Sequence, residues 1–176
     1  MPRNGVAKRL KLYHCPARPV REKRISIEIP SRAAALFLLA CLSLTAQEKG
    51  NWRATSASAK SITGDVTLGD EKIAINFMTF TMVRARGLEP AEIPALFSAD
   101  APAPGSGSLY RLDIPSSRRF LHHNSICGAD DAVWMATYVA GRSLQLAFFS
   151  SQKAPTLTAD ALANSSDLCG VYGYSK

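Results

Sequence analysis

What this chain lacks narrows its function more than what it contains. No apolar run reaches the roughly 20 residues that a bilayer-crossing helix needs; the longest, at 33–46 (A-A-A-L-F-L-L-A-C-L-S-L-T-A), has 14. The four cysteines, Cys15, Cys41, Cys127 and Cys169, form no C-x-x-C and have no zinc-site spacing. There is no G-x-S-x-G nucleophile elbow. Gly105-Ser106-Gly107 reads as loop material with no helix behind it, so it is not a phosphate cradle. No internal repeat is visible. The net charge of +7 invites a nucleic-acid reading, but residues 1–32 hold nine Lys/Arg against two Asp/Glu, and residues 33–176 hold twelve of each. The rest of the chain therefore lacks a basic footprint, and nucleic acid is excluded as a partner.

The run at 33–46 is read as the hydrophobic core of an export signal, which takes a basic flank, roughly 7–15 apolar residues and small residues at the cut. Arg32 borders it, with Arg21, Lys23 and Arg24 upstream. Cleavage after Ala46 would start the working protein at Gln47, although it leaves Leu44 at a position that favours a smaller residue. Leu38-Leu39-Ala40-Cys41 also resembles a lipobox, which makes Cys41 a candidate lipidation site. A retained anchor and a buried helix stay open for the same run. Residues 1–32, with Pro2, Pro16, Pro19 and Pro30, read as a disordered basic leader or an over-long start. Membrane contact is expected only through this signal segment or a lipid anchor.

Residues 47–176 make one domain of a size that can bury a real core. Cys127 and Cys169 are left as an even pair in an oxidising compartment and read as one disulfide, closing about 42 residues. Residues 47–58, including Trp52, read as a polar lead-in. Alternation predicts a half-buried strand over 61–68, with Ile62, Val66 and Leu68 inward, and another over 72–77, with Ile73, Ile75 and Phe77 inward. The apolar parity then switches to Met78, Phe80 and Met82, which predicts a bulge or tight turn near 76–79. A short helical turn at most is expected around Pro90 and Pro94, a loop over 99–108, and a strand over 109–114.

Strands 133–140 and 143–150 are joined by Gly141-Arg142, a two-residue hairpin turn. A helical turn at 159–163 and a last strand at 168–174 complete the chain. The expected fold is all-β: an antiparallel barrel or sandwich of about seven to eight short strands, preceded by an N-terminal signal helix.

Few residues suggest chemistry. His122 and His123 are adjacent, so in a strand they would point to opposite faces, and no third metal ligand has helix or hairpin spacing to them. Asp113, Asp130 and Asp131 read as surface charge, and Arg118-Arg119 as a solvated basic pair. The aromatics are more suggestive. Trp134, Tyr138, Phe148, Tyr172 and Tyr174 could line a barrel mouth and hold an apolar ligand, or simply fill the barrel, with Phe149 nearby.

Three short motifs carry a resemblance. Trp52-Arg53-Ala54-Thr55-Ser56 is followed by Ser61-Ile62-Thr63-Gly64-Asp65; Asn124-Ser125-Ile126-Cys127-Gly128 precedes Trp134; and Leu168-Cys169-Gly170-Val171-Tyr172-Gly173-Tyr174 closes the chain. Together they resemble a group of small exported bacterial proteins of unknown function. The resemblance implies export and a disulfide-tied fold, and carries over no catalytic or binding residues. The expected function is a non-enzymatic binding module, periplasmic or extracellular, with a protein or small apolar ligand as partner and no cofactor. The alternatives are an envelope component anchored through Cys41, and a hydrolase using His122 or His123 with an aspartate.

Overall fold

The structure, a computed structural model, describes residues 48–97 and 105–176. The leader, the signal segment, Cys15, Cys41 and the cleavage point before Gln47 lie outside the described residues. Eight antiparallel strands follow one another around a closed barrel: β1 (Gly50–Ala54), β2 (Val66–Leu68), β3 (Lys72–Ile75), β4 (Met78–Gly87), β5 (Ser106–Ile114), β6 (Ala132–Ala140), β7 (Ser143–Phe149) and β8 (Leu168–Ser175). Two short helices lie in the connections, α1 (Glu92–Phe97) and α2 (Ala159–Ala163). Among the described residues no helix is long and apolar enough to cross a membrane.

Alternation along the strands fills the interior. Trp52, Ile73, Ile75, Met82, Met135, Leu144, Leu146, Phe148, Tyr172 and Tyr174 are all fully buried and belong to one core. The outer face of β5, β6 and β7 is buried as well. Leu109, Trp134, Ala136, Tyr138, Ala147 and Phe149 form a second apolar layer beneath Leu96 and Phe97 of α1 and beneath Leu157. Phe97 stacks on Tyr138 with ring centroids 5.7 Å apart. The outer face of β2 to β4, with Thr67, Thr79, Thr81 and Val83, faces solvent. This division is why β6 reads as continuously apolar while β4 alternates.

The five aromatics read as either lining a mouth or filling the barrel are divided by this geometry. Phe148, Tyr172 and Tyr174 point inward and fill the barrel, whereas Trp134 and Tyr138 lie in the outer layer. Register decides it: Phe148 pairs with Met135, and Phe149 with Trp134, so neighbouring aromatics in β7 serve opposite faces.

Three other expectations are corrected. The lead-in is a strand, β1, and its Trp52 is a core residue at 1% exposure. Residues 61–68 are not one strand: Ala59–Thr63 forms a wide helical turn and only Val66–Leu68 is extended. Local side-chain bonds win there over alternation. Ser56 Oγ accepts from Ala59 N at 3.1 Å, Thr63 Oγ1 donates to Ala59 O at 3.2 Å, and Thr63 Oγ1 meets the Tyr174 hydroxyl at 2.7 Å. Thirdly, β5 begins at Ser106, inside the expected loop. Glycine makes that entry possible, because a Cβ at Gly107 would lie 2.8 Å from the Thr137 carbonyl oxygen.

The expected turn at 76–79 is a two-residue connection, Asn76-Phe77, between β3 and β4. Gly141-Arg142 joins β6 to β7 as expected, with Gly141 at φ 56°. Barrel closure rests on a short seam. β1 pairs with β8 only at Arg53–Ser175 and Ala54–Tyr174, and beyond it Thr55 N and Ser56 N donate to Gly173 O at 2.9 and 3.1 Å. Ser56 Oγ accepts from Gly173 N, and Ser58 Oγ donates to Val171 O. Cys127, in the β5–β6 connection, is disulfide-bonded to Cys169 of β8 with Cα atoms 4.8 Å apart.

α1 is held by a fork. Arg86 Nη1 and Nη2 each donate to the Glu92 carboxylate at 2.7 Å, and Glu89 N donates to it at 2.8 Å. The Arg86 hydrogen bond holds the Glu92 carboxyl below its ordinary value, against the opposing effect of burial. A depressed folded-state value means the fork stabilises the protein above the unfolded carboxyl range and is lost as pH falls through the folded value. Glu92→Gln is therefore expected to cost up to about 1 kcal/mol at neutral pH, since Arg86 is half-exposed and screened. Urea midpoints of variant and wild type should converge as pH falls through the depressed folded-state value of the Glu92 carboxyl; a constant gap would mean the fork is not the cause.

Candidate functional site

The two ends of the barrel differ in chemistry. At one end lie the β1–β2 connection with its helical turn, the Asn76-Phe77 turn and the β5–β6 connection. Asn76 and Phe77 both have positive φ, 46° and 65°, the pair of left-handed residues that a tight hairpin turn of this hand requires. Glycine is the favoured residue at the second position, and a bulky side chain there costs roughly 1–2 kcal/mol. Phe77 occupies it with its ring wholly in solvent, at 102% of reference exposure. A hollow of about 570 Å³ opens beside it, lined in part by Arg53, Asp65, Thr67, Ala74, Asn76 and Leu121.

His122 and His123 are at the same end, in the short turn Leu121–His123, and both also have positive φ, 55° and 60°. Both are exposed, and neither is hydrogen-bonded to an aspartate among the described residues. The expectation that they are loop residues is met, but the left-handed pair was not anticipated. Asp131 is used locally: its carboxylate accepts from Ser116 N at 2.6 Å, and that bond holds its carboxyl below the ordinary value. Among the described residues no three His, Cys, Asp or Glu side chains are grouped closely enough to hold a metal ion.

The opposite end carries a polar cluster. Tyr110, Ser108 and Thr137 face inward from β5 and β6, and Arg84 reaches the rim from β4. Tyr110 Oη donates to the Glu48 carboxylate at 3.0 Å, and Thr137 Oγ1 donates to its other oxygen. Glu48 lies just ahead of β1, where its backbone oxygen accepts from Trp52 Nε1 at 2.9 Å. Burial, with the Glu48 charge acting in the same direction, pushes the Tyr110 phenol up to about 12. A hollow of about 280 Å³ lies beside the cluster. Burial also raises Tyr172 to about 12 and Tyr174 further, which keeps both neutral inside the barrel.

A third hollow, about 560 Å³, is bounded by the loop at 151–156 and by α2, with no convergent charged groups beyond Lys153 and Asp167. No family model matches the chain, and it matches neither a curated protein nor a solved structure.

Proposed function

We propose that this chain works as an exported, non-enzymatic binding module that engages a protein partner with the barrel end carrying Phe77. Its interior is occupied by its own side chains, which favours recognition on the surface over carriage of an apolar ligand inside. The observation that carries the reading is Phe77. A hairpin tip that glycine would satisfy at lower cost instead presents an aromatic ring that touches none of the protein's own core. Local strain without an internal gain is the mark of a group kept for something outside the molecule. An exposed aromatic beside a groove is the build of an interface anchor. Two adjacent connections, at 55–65 and 115–131, supply the polar surroundings, as loops on a rigid sheet commonly do.

The test exploits the opposed effects of one substitution. Phe77→Gly is expected to raise stability by about 1 kcal/mol, because φ 65° suits glycine and the ring has no packing to lose. The same variant should fail to co-elute with the complex that the wild-type protein forms in extracts of its host. A photocross-linking residue at position 77 should trap that partner, while one at the exposed Val83 should not. A Phe77→Gly protein that still enters the same complex would end the proposal.

Export is supported by the oxidised Cys127–Cys169 pair. It is checked by the intact mass of the soluble protein, expected to begin near Gln47. A membrane-bound species beginning at Cys41 with added acyl mass would move the protein to the lipid-anchored alternative.

A further inference from the structure

The end of the barrel opposite Phe77 holds groups that the partner-binding proposal leaves unused. Thr137, Ser108 and Tyr110 point into the barrel at 0, 4 and 6% exposure. Hydroxyls are costly in such a place unless a partner is aimed at them. For Tyr110 and Thr137 that partner is a carboxylate. Glu48 crosses from the lead-in to β1, 62 residues from Tyr110 and 89 from Thr137 in sequence, and sets its oxygens on these two donors.

Two further features separate this cluster from an ordinary buried network. Thr137 keeps a second acceptor: its hydroxyl lies 3.3 Å from Ser108 O, and Ser108 N donates to it at 3.2 Å. Departure of Glu48 therefore leaves Thr137 hydrogen-bonded, and the receiving surface persists without its carboxylate. Secondly, Arg84 stands beside the cluster with its Nε donating to Ser108 Oγ at 3.1 Å. Among the described residues no carboxylate lies within ion-pair distance of it, although its neighbours Lys49 and Arg86 are paired with Asp70 and Glu92. Glu48 uses the hydroxyls and leaves the guanidinium unanswered. The adjoining hollow has a volume of about 280 Å³. Leu68 and Met82 form its apolar side.

We propose that this barrel mouth is a binding site for a small carboxylic acid, whose head group docks on Tyr110, Thr137 and Arg84 in the place that Glu48 holds as an internal stand-in. A ligand carboxylate that reaches Arg84 as well as both hydroxyls gains a charge-assisted bond that Glu48 does not make. A short alkyl chain on the acid would lie against Leu68 and Met82. The small hollow suits an acid of a few carbons. Glu48 then sets the threshold: the ligand must outcompete a carboxylate tethered at the mouth, so the wild-type protein binds more weakly than one without it.

The test titrates the full-length chain with sodium butyrate, against sodium chloride at equal ionic strength, and follows backbone amide shifts together with the thermal midpoint. Glu48→Ala is expected to bind butyrate saturably and at least about tenfold more tightly than wild type, with the largest shifts at Ser108 and Thr137. Adding Tyr110→Phe should weaken that binding about tenfold or more, as expected for a lost bond to a charged group. Should Glu48→Ala not fold, Glu48→Gln keeps the shape while removing the charge, and carries the same titration. Three results would overturn the proposal: no saturable response beyond chloride, equal affinity in wild type and variant, or a response indifferent to Tyr110→Phe. Acetate, which has no chain to place on Leu68 and Met82, should bind more weakly than butyrate; the reverse order would also count against the site.

Discussion

Replacing Trp52 with alanine is expected to remove about 3–5 kcal/mol of folding stability, the range found for large aromatic side chains deleted from a packed core. Trp52 is 1% exposed and belongs to the barrel interior. It is also the only buried residue of β1, whose other four positions are exposed or partly so. β1 closes the barrel with three register pairs to β2 and two to β8, so little besides Trp52 fixes that strand inside. The indole does two further things. Its Nε1 donates to the Glu48 carbonyl oxygen, and the Lys176 ammonium sits 4.4 Å from its ring centroid. Alanine would leave a cavity at the closure, release the segment that places Glu48, and loosen the C-terminus together. Urea unfolding should show a lowered midpoint of that size with an unchanged slope. A loss below about 1 kcal/mol would mean that the seam hydrogen bonds to Gly173 hold β1 without the indole. The mouth titration adds an independent reading: Trp52→Ala should bind butyrate more tightly than wild type, because the Glu48 stand-in loses its anchor.

How much of this was legible in the sequence depends on element length. The β6–β7 hairpin, the bulge or turn near 76–79, the Cys127–Cys169 pair and the shared face of Tyr172 and Tyr174 were readable, because long alternation and a glycine turn leave strong local signals. β1 was not. Gly50-Asn51-Trp52-Arg53-Ala54 has one inward residue among polar neighbours, and one residue has no period. Phe77 was misread for a related reason. It continues the parity of Ile73 and Ile75, yet occupies a left-handed turn where alternation has no meaning. Polar residues of the first motif have structural bonds. Thr55, Ser56, Thr63 and Asp65 bond across the β1–β8 seam or onto the strands beside it, and Asp65 Oδ1 accepts from Ala54 N at 2.9 Å. The mouth cluster left no trace in the sequence. Glu48, Arg84, Ser108 and Thr137 come from separate elements, and only barrel closure brings them together.

Loss of the Cys127–Cys169 bond is the second large effect expected. Closing a loop of sequence separation 42 removes denatured-state entropy worth about 4 kcal/mol by the chain-entropy relation. The bond also has a local task. It fastens the β5–β6 connection to the start of β8, where Ile126 is 5% exposed and its carbonyl oxygen accepts from the Tyr172 hydroxyl at 3.4 Å. Phe120 packs on Phe80 from the same connection, with ring centroids 6.1 Å apart. These contacts close the Phe77 end of the barrel, and without the bond they must hold the connection down unaided. The double variant Cys127→Ala/Cys169→Ala should lower the urea midpoint by the equivalent of about 4 kcal/mol and steepen the slope, since the denatured chain expands when the loop is opened. Wild-type protein unfolded in reductant should match it. If both lose less than about 1 kcal/mol, the buried Ile126 and Phe120 carry the closure and the denatured state is compact already. A loss of the expected size has a consequence for location. Against the 5–15 kcal/mol typical of a folded domain, this protein would keep its full stability only where thiols are oxidised, and the same reduction that opens the connection would disorder the surroundings of Phe77.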